Sequence, residues 1–159
     1  MEKITVKFLT RKHYTSDEDI KNLILYISGE GSNKNKEHAV VGVNGLNYDP
    51  EKAGKQIIKM QKMLNKASKR RAYHMVVSFP IGTQVNSVIS ASRQIGEMLY
   101  REKGFQCYYG VHTKSKSKHL HIHFCINALS YVTGKKWHAN KEEFEEFIDE
   151  VRTIAQICV

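Results

Sequence analysis

Cysteine is scarce in this chain: Cys107, Cys125 and Cys158 are the only three in 159 residues, an odd number without a C-x-x-C pair. That pattern excludes a disulfide framework and a thiolate zinc site, and the three read as reduced thiols. No apolar run approaches the roughly 18 residues that span a bilayer, and the opening Met-Glu-Lys-Ile-Thr-Val-Lys has no signal-peptide core. A cytoplasmic protein without membrane insertion is expected. Internal repeats and low-complexity segments are absent too, and the length suits one domain over residues 1–159. Acidic residues are outnumbered, 16 Asp and Glu against 25 Lys and Arg, for a net charge of +9. Such an excess favours a polyanionic partner, nucleic acid first. The remaining composition, 41% hydrophobic and 26% charged, is ordinary for a globular chain and excludes disordered and collagen-like classes.

The basic residues are grouped. Lys62, Lys66, Lys69, Arg70 and Arg71 lie between an amphipathic stretch and a strand-like one, and Lys114, Lys116 and Lys118 alternate with Ser just before a histidine cluster. Either group can grip a phosphate backbone, and either can equally be a solvated linker.

Periodicity predicts strands alternating with helices. Ile4 to Leu9 reads as a strand, and Thr15-Ser16-Asp17-Glu18 supplies helix-start chemistry for a helix over about 16–28, with Ile20, Leu23, Ile24 and Ile27 on one face. Gly29, Gly31, Ser32 and Asn33 break it, Ala39 to Val43 is a short apolar run, and Asp49-Pro50-Glu51 opens a helix reaching about Asn65. A strand over 72–79, a helix over 86–102, strands over 106–112 and 119–127 and a last helix from about 141 complete the order. The two late strands, joined by a short basic loop, predict an antiparallel hairpin, because a parallel pair needs a longer crossover. The fold class is therefore α+β, a mostly antiparallel sheet with helices on its faces.

Chemistry concentrates in His119-Leu120-His121-Ile122-His123-Phe124-Cys125-Ile126-Asn127. On a strand, alternate residues share a face, so His119, His121 and His123 form a row while Leu120, Ile122, Phe124 and Ile126 face the core. Neighbours in such a row lie roughly 7 Å apart, close enough for two imidazoles to share an ion but not three. His112, at the end of the partner strand, is placed to supply a third ligand. Unligated histidines on an exposed edge strand are the alternative. Three neutral imidazoles leave coordination positions open, the arrangement of a catalytic metal able to polarise a phosphate. Imidazole ligation suits Mn²⁺, Zn²⁺ or Ni²⁺, and Mg²⁺ where substrate phosphate fills the shell, with Mn²⁺ and Mg²⁺ as the first candidates.

The His-x-His strand ending in Asn127, followed by Gly134-Lys135-Lys136-Trp137-His138, resembles the metal motif of plasmid mobilisation relaxases, within the wider histidine-hydrophobe-histidine endonucleases. Ala72-Tyr73-His74-Met75-Val76-Val77-Ser78-Phe79 is similar to that family's internal strand, and Gly42-Val43-Asn44-Gly45 with Asp49-Pro50-Glu51-Lys52-Ala53 resembles the segment after its nucleophile helix. The likeness runs from about residue 3 to 150.

The resemblance implies a five-stranded antiparallel sheet, with His112, His121 and His123 holding a divalent metal. His119 and His74 are implied beside it as further ligands or supporting groups. Tyr26, in the Tyr26-Ile27 pair closing the first helix, is implied as the nucleophile, with Tyr14 beside Lys12 and His13 as its rival. It further implies strand-specific nicking of single-stranded DNA at an origin of transfer through a 5′-phosphotyrosine, with Lys69, Arg70, Arg71, Lys114, Lys116, Lys118 and Asn127 at the DNA and an accessory mobilisation protein as a further partner. The carboxylate common in the family just after the first ligand is lacking, since Thr113-Lys114-Ser115-Lys116 follows His112. Family domains also usually continue past the last helix, so the end at Val159 reads as a truncation or a minimal member.

Two other readings compete. A non-catalytic module would stack single-stranded bases on surface Tyr73, Tyr108 and Tyr109. A replication initiator or transposase of the same superfamily would usually carry its tyrosine after the histidine motif, where this chain has none beyond Tyr131.

Overall fold

The computed structural model describes residues 3–10, 13–30, 39–113 and 119–159. Five strands, β1 (Thr5–Phe8), β2 (Ala39–Asn44), β3 (Ala72–Ser78), β4 (Cys107–His112) and β5 (His121–Asn127), form one sheet in the order β1-β3-β5-β4-β2. Every pairing is antiparallel. Among the described residues the α-helices are α1 (Asp17–Ser28), α2 (Pro50–Met63), α3 (Val85–Glu97) and α4 (Lys141–Cys158). The α+β class and the antiparallel five-stranded sheet are as expected.

Local chemistry sets the helix ends. Ser16 caps α1 through a reciprocal box with Asp19, and Asp17, Glu18 and Asp19 place negative charge against the positive end of the helix dipole. Gly29, at φ 81°, takes the left-handed conformation that stops α1 one residue after Ser28. Asp49 caps α2 with Pro50 in its first turn, and Asn140 forms a second capping box with Glu143 on α4.

Two boundaries differ from the periodic reading. The helix expected to run through residue 102 is α-helical only to Glu97 and continues as a π-helical turn, Met98–Glu102, in which Met98 and Leu99 are both buried. Strand β5 begins at His121 rather than His119, because residues 119 and 120 lie past the ladder, held to Phe79 by its N–H to the Leu120 carbonyl (3.0 Å).

The sheet separates two cores. On one side, Met75, Val77, Val111, Ile122, Phe124 and Ile126 meet Val88, Ala91 and Ile95 of α3 and Phe147, Val151 and Ala155 of α4. On the other, Ile20, Leu23, Ile24 and Ile27 of α1 and Ala53, Ile57 and Ile58 of α2 pack on Ala72, Tyr108 and Cys125. Tyr108 is fully buried and Tyr109 is 5% exposed, so neither offers a stacking surface for bases. Among the described residues no helix is long and apolar enough to cross a membrane.

Candidate active site

Strand register carries the histidines to one place. On the α1 and α2 side of the sheet, Thr5, Ser78, His121 and His112 form one cross-strand row, and Lys7, Val76, His123 and Gly110 form the next. All of these but Gly110, together with Leu9 and Tyr26, line an open cavity of about 370 Å³. Ring centres are 4.4 Å apart for His112 and His123 and 6.1 Å apart for His121 and His123. His119 is not part of this lining: its Nδ1 donates to the Phe79 carbonyl at 2.9 Å, and the expected row of three histidines is a row of two completed by His112.

Gly110 is what lets α1 reach the cluster. A Cβ built there would lie 2.4 Å from the Ile27 carbonyl oxygen, so only glycine admits the helix end at this depth. His112 Nε2 donates to that same carbonyl at 3.1 Å, which leaves the lone pair of a neutral His112 on Nδ1. One residue earlier, Tyr26 is 42% exposed, with ring centres 5.5 Å from His112 and 5.3 Å from His123. Its rival Tyr14 is 7% exposed, and its hydroxyl lies 3.0 Å from His74 Nδ1 inside the protein. Tyr14 also sits at φ 47°, a left-handed conformation that strains a non-glycine residue by about 1–3 kcal/mol. Burial raises its phenol above the ordinary value, so it stays neutral.

His74 lies behind the cluster and not in the cavity lining, with Nε2 at 2.9 Å from His123 Nδ1. Burial, reinforced by His112, pushes His74 down to about 4. His123 is pushed down to about 2, first by burial and then by His112, His74 and His121. Both imidazoles are therefore neutral near pH 7, the state in which histidine binds a metal.

The donor set suits an ion. An ion bound tetrahedrally at 2.0–2.1 Å from each nitrogen sets two imidazole centres about 5 Å apart, and the observed 4.4 and 6.1 Å bracket that spacing. Among the described residues, no three His, Cys, Asp or Glu side chains already stand as a formed metal site, so closing on one ion takes side-chain rotation. No carboxylate lines the cavity among the described residues. Among the described residues, the lysine or arginine that lines it is Lys7, on the exposed edge of β1.

The residues expected at DNA divide. Lys69 is exposed, and Arg70 holds its guanidinium 5.1 Å over the Tyr73 ring. Arg71 is 3% exposed, with Nη1 at 2.6 Å from Asp17 and Nε donating to Gln61 at 2.8 Å. Asn127 is fully buried, accepting from Gln61 Nε2 at 2.8 Å and donating to Gln106 at 3.0 Å. Both are corrected from DNA contacts to an internal network joining α1, α2 and β5, because side chains 3% and 0% exposed present no polar surface that a phosphate can reach. Lys114, Lys116 and Lys118 lie outside the described residues.

Lys7 and Gly110 were missed by the sequence reading. Thr5 and Lys7 do alternate on one strand face, but only the pairing β1-β3-β5 puts that face beside the histidines.

A family model for the nuclease domain of MobA/VirD2-like relaxases matches residues 26–156. The fold is similar to a solved chain concerned with the molecular basis of vancomycin resistance transfer in Staphylococcus aureus, at a TM-score of 0.64 and 15% identity over 98% of this chain and 90% of that one. No curated protein matches.

Proposed function

We infer the function of this site from one premise: the chain belongs to the MobA/VirD2-like relaxase nuclease family. That family nicks DNA in mobilisation, generally depends on a divalent metal and acts on single-stranded DNA at an origin of transfer. For this chain we propose that Tyr26 is the nucleophile and that His112, His121 and His123 hold the metal. The observation that carries the reading is the Tyr26 ring at 5.5 and 5.3 Å from His112 and His123, on the rim of an open cavity.

His112 would ligate through Nδ1, since its Nε2 donates to the Ile27 carbonyl. A divalent ion held there supplies Lewis-acid stabilisation of charge on the non-bridging phosphate oxygens. Mn²⁺ and Mg²⁺ are the first candidates, with Zn²⁺ and Ni²⁺ also suited to imidazole. Lys7, on the same side of the sheet, adds a fixed positive charge toward which a phosphate is drawn. The Tyr26 oxygen attacks phosphorus in line as its phenolic proton passes to solvent, the bond from phosphorus to the 3′-oxygen breaks, and that oxygen takes up a proton from solvent. The products are a 5′-phosphotyrosine and a free 3′-hydroxyl, so the strand can be rejoined without ATP. Tyr14 is poorly suited to attack, because its hydroxyl is occupied inside the protein.

The test incubates the protein with Mn²⁺ and single-stranded DNA carrying the origin of its own element. An SDS-resistant, protease-sensitive adduct is expected from the wild type and not from Tyr26→Phe. An adduct that survives Tyr26→Phe moves the nucleophile elsewhere, and cleavage with no adduct replaces transesterification by hydrolysis.

A further inference from the structure

Tyr14, His74 and His123 stand in line behind the cavity, with Tyr14 Oη 3.0 Å from His74 Nδ1 and His74 Nε2 2.9 Å from His123 Nδ1. A neutral imidazole carries one N–H, so the two hydrogen bonds cannot be oriented independently. In one polarity Tyr14 donates to His74, His74 donates from Nε2 to His123, and His123 keeps its own proton on Nε2. In the other, His123 donates from Nδ1 to His74, His74 donates from Nδ1 to the Tyr14 oxygen, and His123 Nε2 bears a lone pair. Only the second makes Nε2 of His123 a metal ligand.

We propose that Tyr14 and His74 form a polarity switch that sets the tautomer of His123, the Tyr14 hydroxyl turning from donor to acceptor when the metal binds. The proposal rests on the reading that His112, His121 and His123 hold the metal. Three protons are present in either polarity, and none is gained or lost. A hydroxyl is suited to this end of the line because it can donate or accept, whereas a carboxylate there would hold one polarity permanently. Three observations place Tyr14 in this role. It is 7% exposed and His74 is 4% exposed, which keeps solvent from standing in for either partner. Tyr14 adopts a left-handed φ of 47° at a non-glycine residue. Its carbonyl accepts from the Arg71 N–H at 2.9 Å, so the strained conformation is anchored to β3 by the neighbouring residue of that chain segment. Tyr14 and His74 are positioning residues here and touch no reacting atom.

The test measures Zn²⁺ and Mn²⁺ binding to the full chain by calorimetry, and the imidazole tautomers of the Zn²⁺-loaded protein by ¹⁵N NMR. Tyr14→Phe is expected to weaken metal binding about tenfold and His74→Leu by up to about a hundredfold, the range found for groups that orient metal ligands. His74→Gln should recover most of the affinity, since its amide oxygen accepts from His123 Nδ1 without a choice of tautomer. In wild type, His74 should carry its proton on Nδ1 with Zn²⁺ bound and on Nε2 without it. Metal affinity unchanged in a folded Tyr14→Phe, or a proton on His74 Nε2 with metal bound, overturns the switch and leaves the metal site standing. Wild type that binds neither ion overturns the metal site and the switch together. Should Tyr14→Phe fail to fold, the wild-type tautomers decide alone.

Discussion

The two faces of the sheet are built from the same strands and differ in what they bury. Toward α3 and α4, Ile122 and Phe124 of β5 join a continuous apolar core. Toward α1 and α2, the alternate residues differ along the strand: His121 and His123 meet a polar cavity, Cys125 meets apolar packing and Asn127 a buried hydrogen-bond network. The difference teaches that cohesion and chemistry are separated by the two-residue period of a strand, and that the face carrying chemistry is the one its helices leave partly uncovered. Hydrophobic burial is non-directional and tolerates repacking, whereas ligands and a nucleophile must be placed to within an ångström.

Substitutions on each face should separate these roles. Phe124→Ala, on the apolar face, should have the largest effect on stability, about 3–5 kcal/mol by denaturant unfolding, with metal binding intact in the fraction that stays folded. Loss of metal binding without unfolding would contradict the separation. Gly110→Ala, on the other face, sets a methyl against the Ile27 carbonyl and should destabilise by about 1–3 kcal/mol. Adduct formation should fall by roughly a hundredfold in the folded protein, because Tyr26 is displaced with α1; an equal loss of stability and activity would mean that α1 is not the positioning element.

A pH series divides the faces again. In the metal-free protein, His74 and His123 are neutral in the fold and take up protons in the unfolded chain below its ordinary histidine value of about 6.5. The unfolded chain then binds more protons, so stability is full above that value and is lost as pH falls toward the folded value of about 4 for His74. Thermal unfolding followed by circular dichroism should drop more steeply between pH 7 and pH 5 in wild type than in His74→Gln, by roughly 5 °C. Parallel curves would show that His74 does not carry the pH dependence. Smallest in stability is Lys7→Ala, expected within about 0.5 kcal/mol of wild type at this exposed edge, yet lowering the salt dependence of single-stranded DNA binding by a slope of about 0.7. An unchanged slope would remove Lys7 from the phosphate path.

Much of this site is legible in the order of the residues, and some is not. The alternation through Ile122, His123, Phe124 and Cys125 assigns faces without any structure, because a strand's period is set by backbone geometry alone. Arg71 and Asn127 mislead for the opposite reason. Their polarity suggests a surface, while their contacts with Asp17, Gln61 and Gln106 come from elements distant in sequence.

The sequence by itself determined the element order, the helix caps, the two-faced strands and the histidine and tyrosine candidates, since each follows from local propensity or a short period. Tertiary structure alone decided the rest. It separated Tyr26 from Tyr14 by exposure, left His119 outside the cavity lining, set His74 behind His123, brought Lys7 across two strands and gave Gly110 its purpose beneath α1. Each of those outcomes depends on strand register or on how closely a helix approaches a sheet, and both are settled by packing among residues far apart in the chain.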